Sequence, residues 1–363
     1  MKARSNDQER IMQQAKQALN GIGIENGASK ALITDNLNAG LFNIRKASRC
    51  ISDAHARDVP NKLFDSFWFE NEVCILFADT GAGKSILAVQ IADSITKGRS
   101  IDHEFDFEGT PQPVLYFDFE LTDMQFSLRY SDDEYTYQFD DNFLRAEIDP
   151  DCDLPDGIGF ESYVVYSIEQ IVKRKEAKVL IIDNLTYLGT DNEKSKNALS
   201  LMKDLKKIKN KYDLSLLILA HTPKRDFTKT ISRNDVEGSK ALINFCDSAF
   251  AIGESYRHKK LRYFKQIKAR NCPIEYDEEH IPVFEIEKDK GFLKFCFLKY
   301  DQERDQLKLR TEEDKEIERD LIWELRGKGM SIREIARETG IPKSTVSRWL
   351  NENDVRTESL QNP

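Results

Sequence analysis

Residues 78–85 read Ala78-Asp79-Thr80-Gly81-Ala82-Gly83-Lys84-Ser85, a run whose residue types suit the grip of a phosphate chain. Gly81 and Gly83 allow the backbone to wrap so that its N–H groups converge on phosphate oxygens. Lys84 supplies a point charge for the β- and γ-phosphates, and the Ser85 hydroxyl supplies a ligand for Mg2+. Ile86 opens an apolar helical pattern continued by Leu87, Val89, Ile91, Ala92 and Ile95. The N-terminus of that helix adds the positive end of a dipole. The preceding run EVCILFA reads as a buried strand. Strand, loop and helix together fit the Walker A pattern, with Ala at its first position, so ATP and Mg2+ are the expected ligands of Ala78–Ile86.

A phosphate loop needs a carboxylate for the metal. Asp183 ends the apolar run KVLIID and is the expected second contributor, beside Ser85, to the Mg2+ shell. Asn184 follows where an adjacent acid could have activated water, so that role falls elsewhere. Glu120, after the strand VLYFDF, suits it if that strand neighbours the phosphate-loop strand. Asp118, on the same strand, is the rival, and both could be solvated strand-end acids. The run LSLLILA ends in His221, well placed for a γ-phosphate contact.

These groups need a rigid frame. Between residues 61 and 300, short β-rich runs alternate with longer helical patterns, which predicts an α/β domain with a mainly parallel sheet. The later runs LRYFKQIKA, IPVFEIE and GFLKFCFLKY alternate more strictly and predict antiparallel strands at one end. Residues 1–60 are polar and mostly helix-like, with Ile11, Ala15 and Leu19 at helical spacing. Residues 301–318 form a charged connector, either a linker or the start of a helix, and 319–363 a small helical domain. Six scattered cysteines without a CxxC pair read as free thiols of a reducing, cytoplasmic compartment rather than a zinc site. No apolar run is long enough for a membrane span. The net charge of −9 argues against uniform coating of nucleic acid but leaves local basic surfaces open.

Over residues 60–300 this set resembles the RecA-like P-loop ATPases, in particular hexameric helicases of the DnaB and plasmid RepA types. The resemblance assigns Glu120 as the catalytic glutamate and His221 as a sensor beside Lys84. It also matches Lys268 and Arg270, in Lys268-Ala269-Arg270-Asn271, to a pair that enters the neighbouring subunit's active site. It therefore implies a homo-oligomer, a hexameric ring, in which these cations stabilise γ-phosphate charge in trans. The segment before the core is shorter than a DnaB N-terminal domain, closer to the RepA-like branch of plasmids and mobile elements, and Cys272 stands where Gly is common. Both departures weaken the expectation of processive unwinding. In such rings the loops after the Walker B and His strands face a central channel. The second loop, residues 222–240, carries Lys224, Arg225, Lys229, Arg233 and Lys240 as candidate DNA contacts, and the first offers Tyr187 as a stacking face. A solvated surface loop is the alternative reading.

Residues 331–350, SIREIARETGIPKSTVSRWL, resemble the helix-turn-helix of resolvases and repressors. Ile332, Ile335, Ala336, Ile341, Val346 and Trp349 form the apolar set of two crossed helices, Gly340 takes the turn, and Ser331 or Ser344 can cap. Residues 319–328 supply a supporting helix. The second helix would offer Lys343, Ser344, Thr345, Ser347 and Arg348 to a major groove. The expected function is an ATP-hydrolysing DNA motor or helicase for replication or mobilisation of a plasmid or mobile element. An ATP-gated DNA-binding regulator and a partner-recruiting loader are the alternatives.

Overall fold

The structure, a computed structural model, describes residues 36–39, 42–184, 194–223, 225–236, 240–309, 312–339 and 341–359. It divides into two units, Met1–Val59 and Pro60–Pro363. In the first, β1 (Asn36–Ala39) and β2 (Phe42–Arg45) pair antiparallel and α1 (Ala47–His55) follows. Part of the segment expected to be helical is thus a hairpin. Ile11, Ala15 and Leu19 lie outside the described residues.

The second unit begins with a short pair, β3 (Lys62–Phe64) and β4 (Trp68–Phe69). Its core strands are β5 (Val73–Ala78), β6 (Val114–Asp118), β7 (Phe143–Ala146), β8 (Val179–Asp183), β9 (Ser215–His221) and β10 (Ser248–Glu254). The antiparallel set is β11 (Leu261–Lys268), β12 (Ile281–Asp289) and β13 (Phe292–Asp301). These nine strands form one sheet in the order β13-β12-β11-β10-β5-β9-β8-β6-β7. Strands β10 through β7 in that order run parallel, and β11 to β13 extend the sheet antiparallel, as the alternation predicts. This is the α/β, RecA-like architecture.

The helices covering the sheet are α2 (Lys84–Lys97), α3 (Asp123–Tyr130), α4 (Phe160–Lys175), α5 (Lys194–Tyr212) and α6 (Lys240–Phe245). The parallel strands are near-continuous apolar runs because both faces are covered. In β5, Val73, Ile75 and Phe77 pack with Ile168 and Val172 of α4 and Leu201 and Leu205 of α5. Cys74, Leu76 and Ala78 point the other way, into a cluster with Leu87, Ile91 and Ile95 of α2. Side-chain alternation along one strand thus feeds two cores.

The strand order overturns one expectation. Strand β6 does not neighbour β5; β9 and β8 lie between them. Glu120 therefore leaves a strand three spacings from the phosphate loop, roughly 14 Å away at about 4.8 Å per strand.

Three further helices follow: α7 (Glu312–Gly327), α8 (Ile332–Thr339) and α9 (Lys343–Ser359). Residues 312–318 of the charged connector are helical, one of the two readings left open. Ile322, Ile335, Ile341, Val346, Trp349 and Leu350 form a core of their own, separate from the two cores of the sheet. Ser331 caps α8 reciprocally, its hydroxyl accepting from Glu334 N–H while Glu334 accepts from Ser331 N–H. Ser344 lies inside α9 and is not its cap, and Gly340 lies outside the described residues.

Candidate functional site

The C-terminal ends of β5, β9, β8 and β6 gather the predicted groups along one edge. The phosphate loop leaves β5 with Gly81 at φ 82° and Gly83 at φ 105°, both in the left-handed region that favours glycine. Gly83 is constrained twice, because a Cβ there would lie 2.7 Å from the Phe295 ring and 3.1 Å from Ile286. Gly81 faces open space. Gly83→Ala should therefore lower stability by about 2 kcal/mol or more, and Gly81→Ala by about 1 kcal/mol. Thermal unfolding of the two variants checks the order.

Lys84 Nζ donates to the carbonyls of Ala78 at 3.0 Å and Asp79 at 3.1 Å, and sits 3.1 Å from His221 Nδ1. His221 Nε2 lies 2.9 Å from Asn184 Nδ2 and 3.5 Å from Glu120 Oε1. Asn184 Nδ2 also donates to Glu120 Oε1. Lys84, His221, Asn184 and Glu120 thus form one continuous polar chain, despite the intervening strands. Glu120 reaches it because Phe119 N–H donates to the Asp183 carbonyl at 2.8 Å, tying the end of β6 to that of β8. The His221 contact, outweighing partial burial, holds the Glu120 carboxyl below its usual range.

Asp118, the rival to Glu120, is fully engaged elsewhere. One oxygen accepts from the backbone N–H groups of Glu120 and Leu121, and the other from Arg145 Nε at 2.9 Å. It shapes the turn that carries Glu120 and is buried away from solvent.

Asp183 is buried at the end of β8, and one oxygen accepts from Tyr116 Oη at 2.6 Å. Its other oxygen, Oδ1, is buried without a hydrogen-bond partner. Burial pushes its carboxyl up to about 6, with the Ser85 and Tyr116 hydroxyls pulling the other way. A carboxylate in that position is costly unless a cation or donor satisfies it. The Ser85–Asp183 pair therefore fits a divalent cation bound together with phosphates.

The second loop departs from the sequence reading. Arg225 does not project into solvent: its side chain is 4% exposed and pairs with Asp79 at 3.7 Å. It also lies 5.0 Å from the Phe227 ring. Thr222 donates to the same Asp79. Arg225 is thus withdrawn as a surface DNA contact, because the acid in the phosphate loop draws it inward. Lys229 pairs with Asp226 at 3.2 Å, and Arg233 is exposed in a short 3-10 turn. Lys224, Tyr187 and the Lys240 side chain lie outside the described residues.

Lys268 and Arg270 sit at the opposite edge. Strand register sets Lys268 level with Ala249 and Ile75, three residues before the loop begins at Ala78, roughly 10 Å along the strand. Lys268 Nζ donates to the carbonyls of Ile243 and Cys246, and Arg270 pairs with Asp247 at 2.8 Å. Burial lowers the Lys268 ammonium from its usual range. Neither cation meets its own phosphate loop.

A profile of the AAA domain matches residues 45–226, the segment that holds the loop, Glu120, Asp183 and His221. The chain belongs to the AAA domain family. A second profile, of the homeodomain-like domain, matches residues 317–354. No curated protein matches the chain. The protein is therefore an AAA-type ATPase domain with a C-terminal helix-turn-helix DNA-binding domain. On α9 of this AAA protein, Lys343, Ser344 and Arg348 are exposed, whereas Thr345 and Ser347 are half-buried.

Three groups at the AAA site had no legible signal. Tyr116 holds Asp183, Arg145 locks Asp118, and Arg262 Nε donates to the Ala82 carbonyl of the loop at 3.3 Å. Each acts across strands, and no spacing in the sequence marks it. Among the described residues, no helix is long and apolar enough to cross a membrane.

Proposed function

We propose that this AAA protein is an ATP-driven, ring-forming DNA motor of the DnaB/RepA helicase type, serving replication or mobilisation of a plasmid or mobile element in the cytoplasm. The observation that carries the reading is a division of labour within one chain. The phosphate loop and Glu120 lie at one end of the parallel strands, and Lys268 and Arg270 near the other. A hexameric ring would bring one subunit's cations to the next subunit's phosphate loop, completing a site that each chain half supplies.

In this reading residues 61–300 are the motor, 301–318 connect, 319–363 recruit DNA and 1–60 form an arm. Ala78–Ile86 hold the nucleotide, with Lys84 on its β- and γ-phosphates. Ser85 and Asp183 hold Mg2+, which neutralises phosphate charge when bound. Glu120 takes the proton of the attacking water while the water oxygen bonds to the γ-phosphorus and the bond to the β-phosphate oxygen breaks. His221 reports the γ-phosphate. Lys229 and Arg233 contact the DNA backbone, and Lys343, Ser344, Thr345, Ser347 and Arg348 meet a duplex groove. ATP turnover measured with and without single- and double-stranded DNA, alongside solution mass with ATP, tests the proposal. DNA-stimulated turnover by a hexamer, with strand displacement, is expected; a DNA-indifferent monomeric ATPase would overturn it.

A second reading, a nucleotide-gated DNA-binding regulator, is favoured by one specific chain of contacts. Asp79 of the phosphate loop pairs with Arg225, Arg225 lies against Phe227, and the Phe227 carbonyl accepts from Lys308 N–H at 3.0 Å. Lys308 directly precedes the segment leading into α7. Either reading expects the terminal helices, with their separate core, to carry duplex preference. Removing residues 312–363 should abolish salt-sensitive binding to a preferred duplex while basal ATP turnover stays within about twofold. Gel-shift and ATPase assays check both.

A further inference from the structure

Hydrogen-bond chemistry limits which contacts along the polar chain can coexist. An ammonium donates only, so Lys84 Nζ at 3.1 Å requires a lone pair on His221 Nδ1. A neutral imidazole then carries its proton on Nε2. Nε2 faces both the Asn184 amide nitrogen at 2.9 Å and Glu120 Oε1 at 3.5 Å. An N–H cannot donate to an amide nitrogen, which leaves the Glu120 carboxylate as its acceptor. Asn184 Nδ2 donates to that same oxygen. Turning the amide over would set its carbonyl oxygen against the carboxylate with no proton between them. In this state Glu120 therefore collects two donors and is held by both. Asn184 is itself buried, with its backbone continuing directly from the end of β8.

We propose that Asn184 is a positioning residue for Glu120, and that departure of Lys84 to a phosphate lets His221 exchange tautomers and release one of the two donors. With Lys84 withdrawn, the proton on Nε2 passes to solvent and solvent returns one to Nδ1, so the imidazole stays neutral. Nδ1–H then points toward the position Lys84 has left. Nε2 now offers a lone pair to one N–H of Asn184 Nδ2, while the other N–H keeps its bond to Glu120. The carboxylate, still held by Asn184, regains a free lone pair for the proton of water. The Asp183-Asn184 sequence gains a reason: a second acid at position 184 would repel Glu120, and an apolar residue could donate to neither partner. An amide NH2, with two N–H donors, can serve both at once.

The proposal rests on Glu120 as the base, and the experiment separates the two. In the full-length chain, Asn184→Ala should lower kcat by about 10²-fold while the Kd for a non-hydrolysable ATP analogue changes less than about threefold. In a Glu120→Gln background the same substitution should have little further effect, since a residue acting through Glu120 has nothing left to position. A loss of equal size in both backgrounds, or normal turnover of Asn184→Ala, overturns the proposal alone. Normal turnover of Glu120→Gln overturns the base assignment and this proposal with it. The tautomer exchange is read without altering the site, from imidazole 15N shifts of the histidine-labelled wild-type chain, with His221→Gln used to assign the signal. The Nε2–H form is expected without nucleotide and the Nδ1–H form with the ATP analogue; the same form in both overturns the exchange.

Discussion

Lys84→Ala should reduce ATP turnover by at least about 10³-fold, and the loss should appear in binding as well as in rate. Lys84 is buried at the start of α2, and its polar contacts include the Ala78 and Asp79 carbonyls and His221. Two of those contacts fold the phosphate loop over its own lysine. Truncation therefore removes a charge that the γ-phosphate needs and also a support for the loop backbone. It also frees His221 Nδ1 without any phosphate, so the histidine should adopt its nucleotide-bound form prematurely. Lys84→Arg should do little better, because a planar guanidinium does not fit a compact pocket built from two carbonyls and an imidazole. Equilibrium binding of a fluorescent ATP analogue and steady-state phosphate release measure the two parts. Wild-type turnover in Lys84→Ala would end the assignment of this loop as the nucleotide site.

How much of this site could be read from the chain depends on how local each signal is. Gly81, Gly83, Lys84 and Ser85 were legible because the loop's conformation and its chemistry occupy the same few consecutive residues. The C-terminal helices were legible for a similar reason: Ile335, Ile341, Val346 and Trp349 pack against one another within a span of fifteen residues. The antiparallel end of the sheet announced itself through strict alternation. Strand order did not, because each parallel crossover can land beside any earlier strand without changing the local pattern. Glu120 was therefore expected from a neighbouring strand and arrives from β6, three strands away, through the β6–β8 pairing. Asn184 was legible only as a missing acid, because its partners depend on that order. Arg225 failed most instructively. Its neighbours are basic and polar, which describes a solvated loop, yet Asp79, far away in sequence, pulls it under the surface. Local composition cannot report a partner that topology supplies.

The second large effect concerns Arg270. Arg270→Ala alone should lower turnover by about 10³-fold or more if the guanidinium stabilises transferred phosphoryl charge in a neighbouring subunit. Folding should be little affected, because Arg270 is exposed and its pairing with Asp247 is a surface ion pair worth about 0–1 kcal/mol. Glu120→Gln should lower turnover by about 10²–10⁴-fold from the other half of the site. The decisive result comes from mixing them. Each Arg270→Ala subunit retains a sound base, and each Glu120→Gln subunit retains a sound cation. In a head-to-tail ring, a site is complete wherever the base of one meets the cation of the other, roughly one interface in four for a random equimolar mixture. Turnover should then recover toward about a quarter of the wild-type rate, far above either variant alone. If Arg270 served its own chain, every subunit in the mixture would carry a defect in its own site and nothing would recover. The geometry already disfavours that outcome, because Arg270 lies two residues past a strand position level with Ile75, on the side away from Ala78. Native mass spectrometry of the mixture verifies that hybrid assemblies exist, and no recovery in confirmed hybrids would remove Arg270 from the reaction.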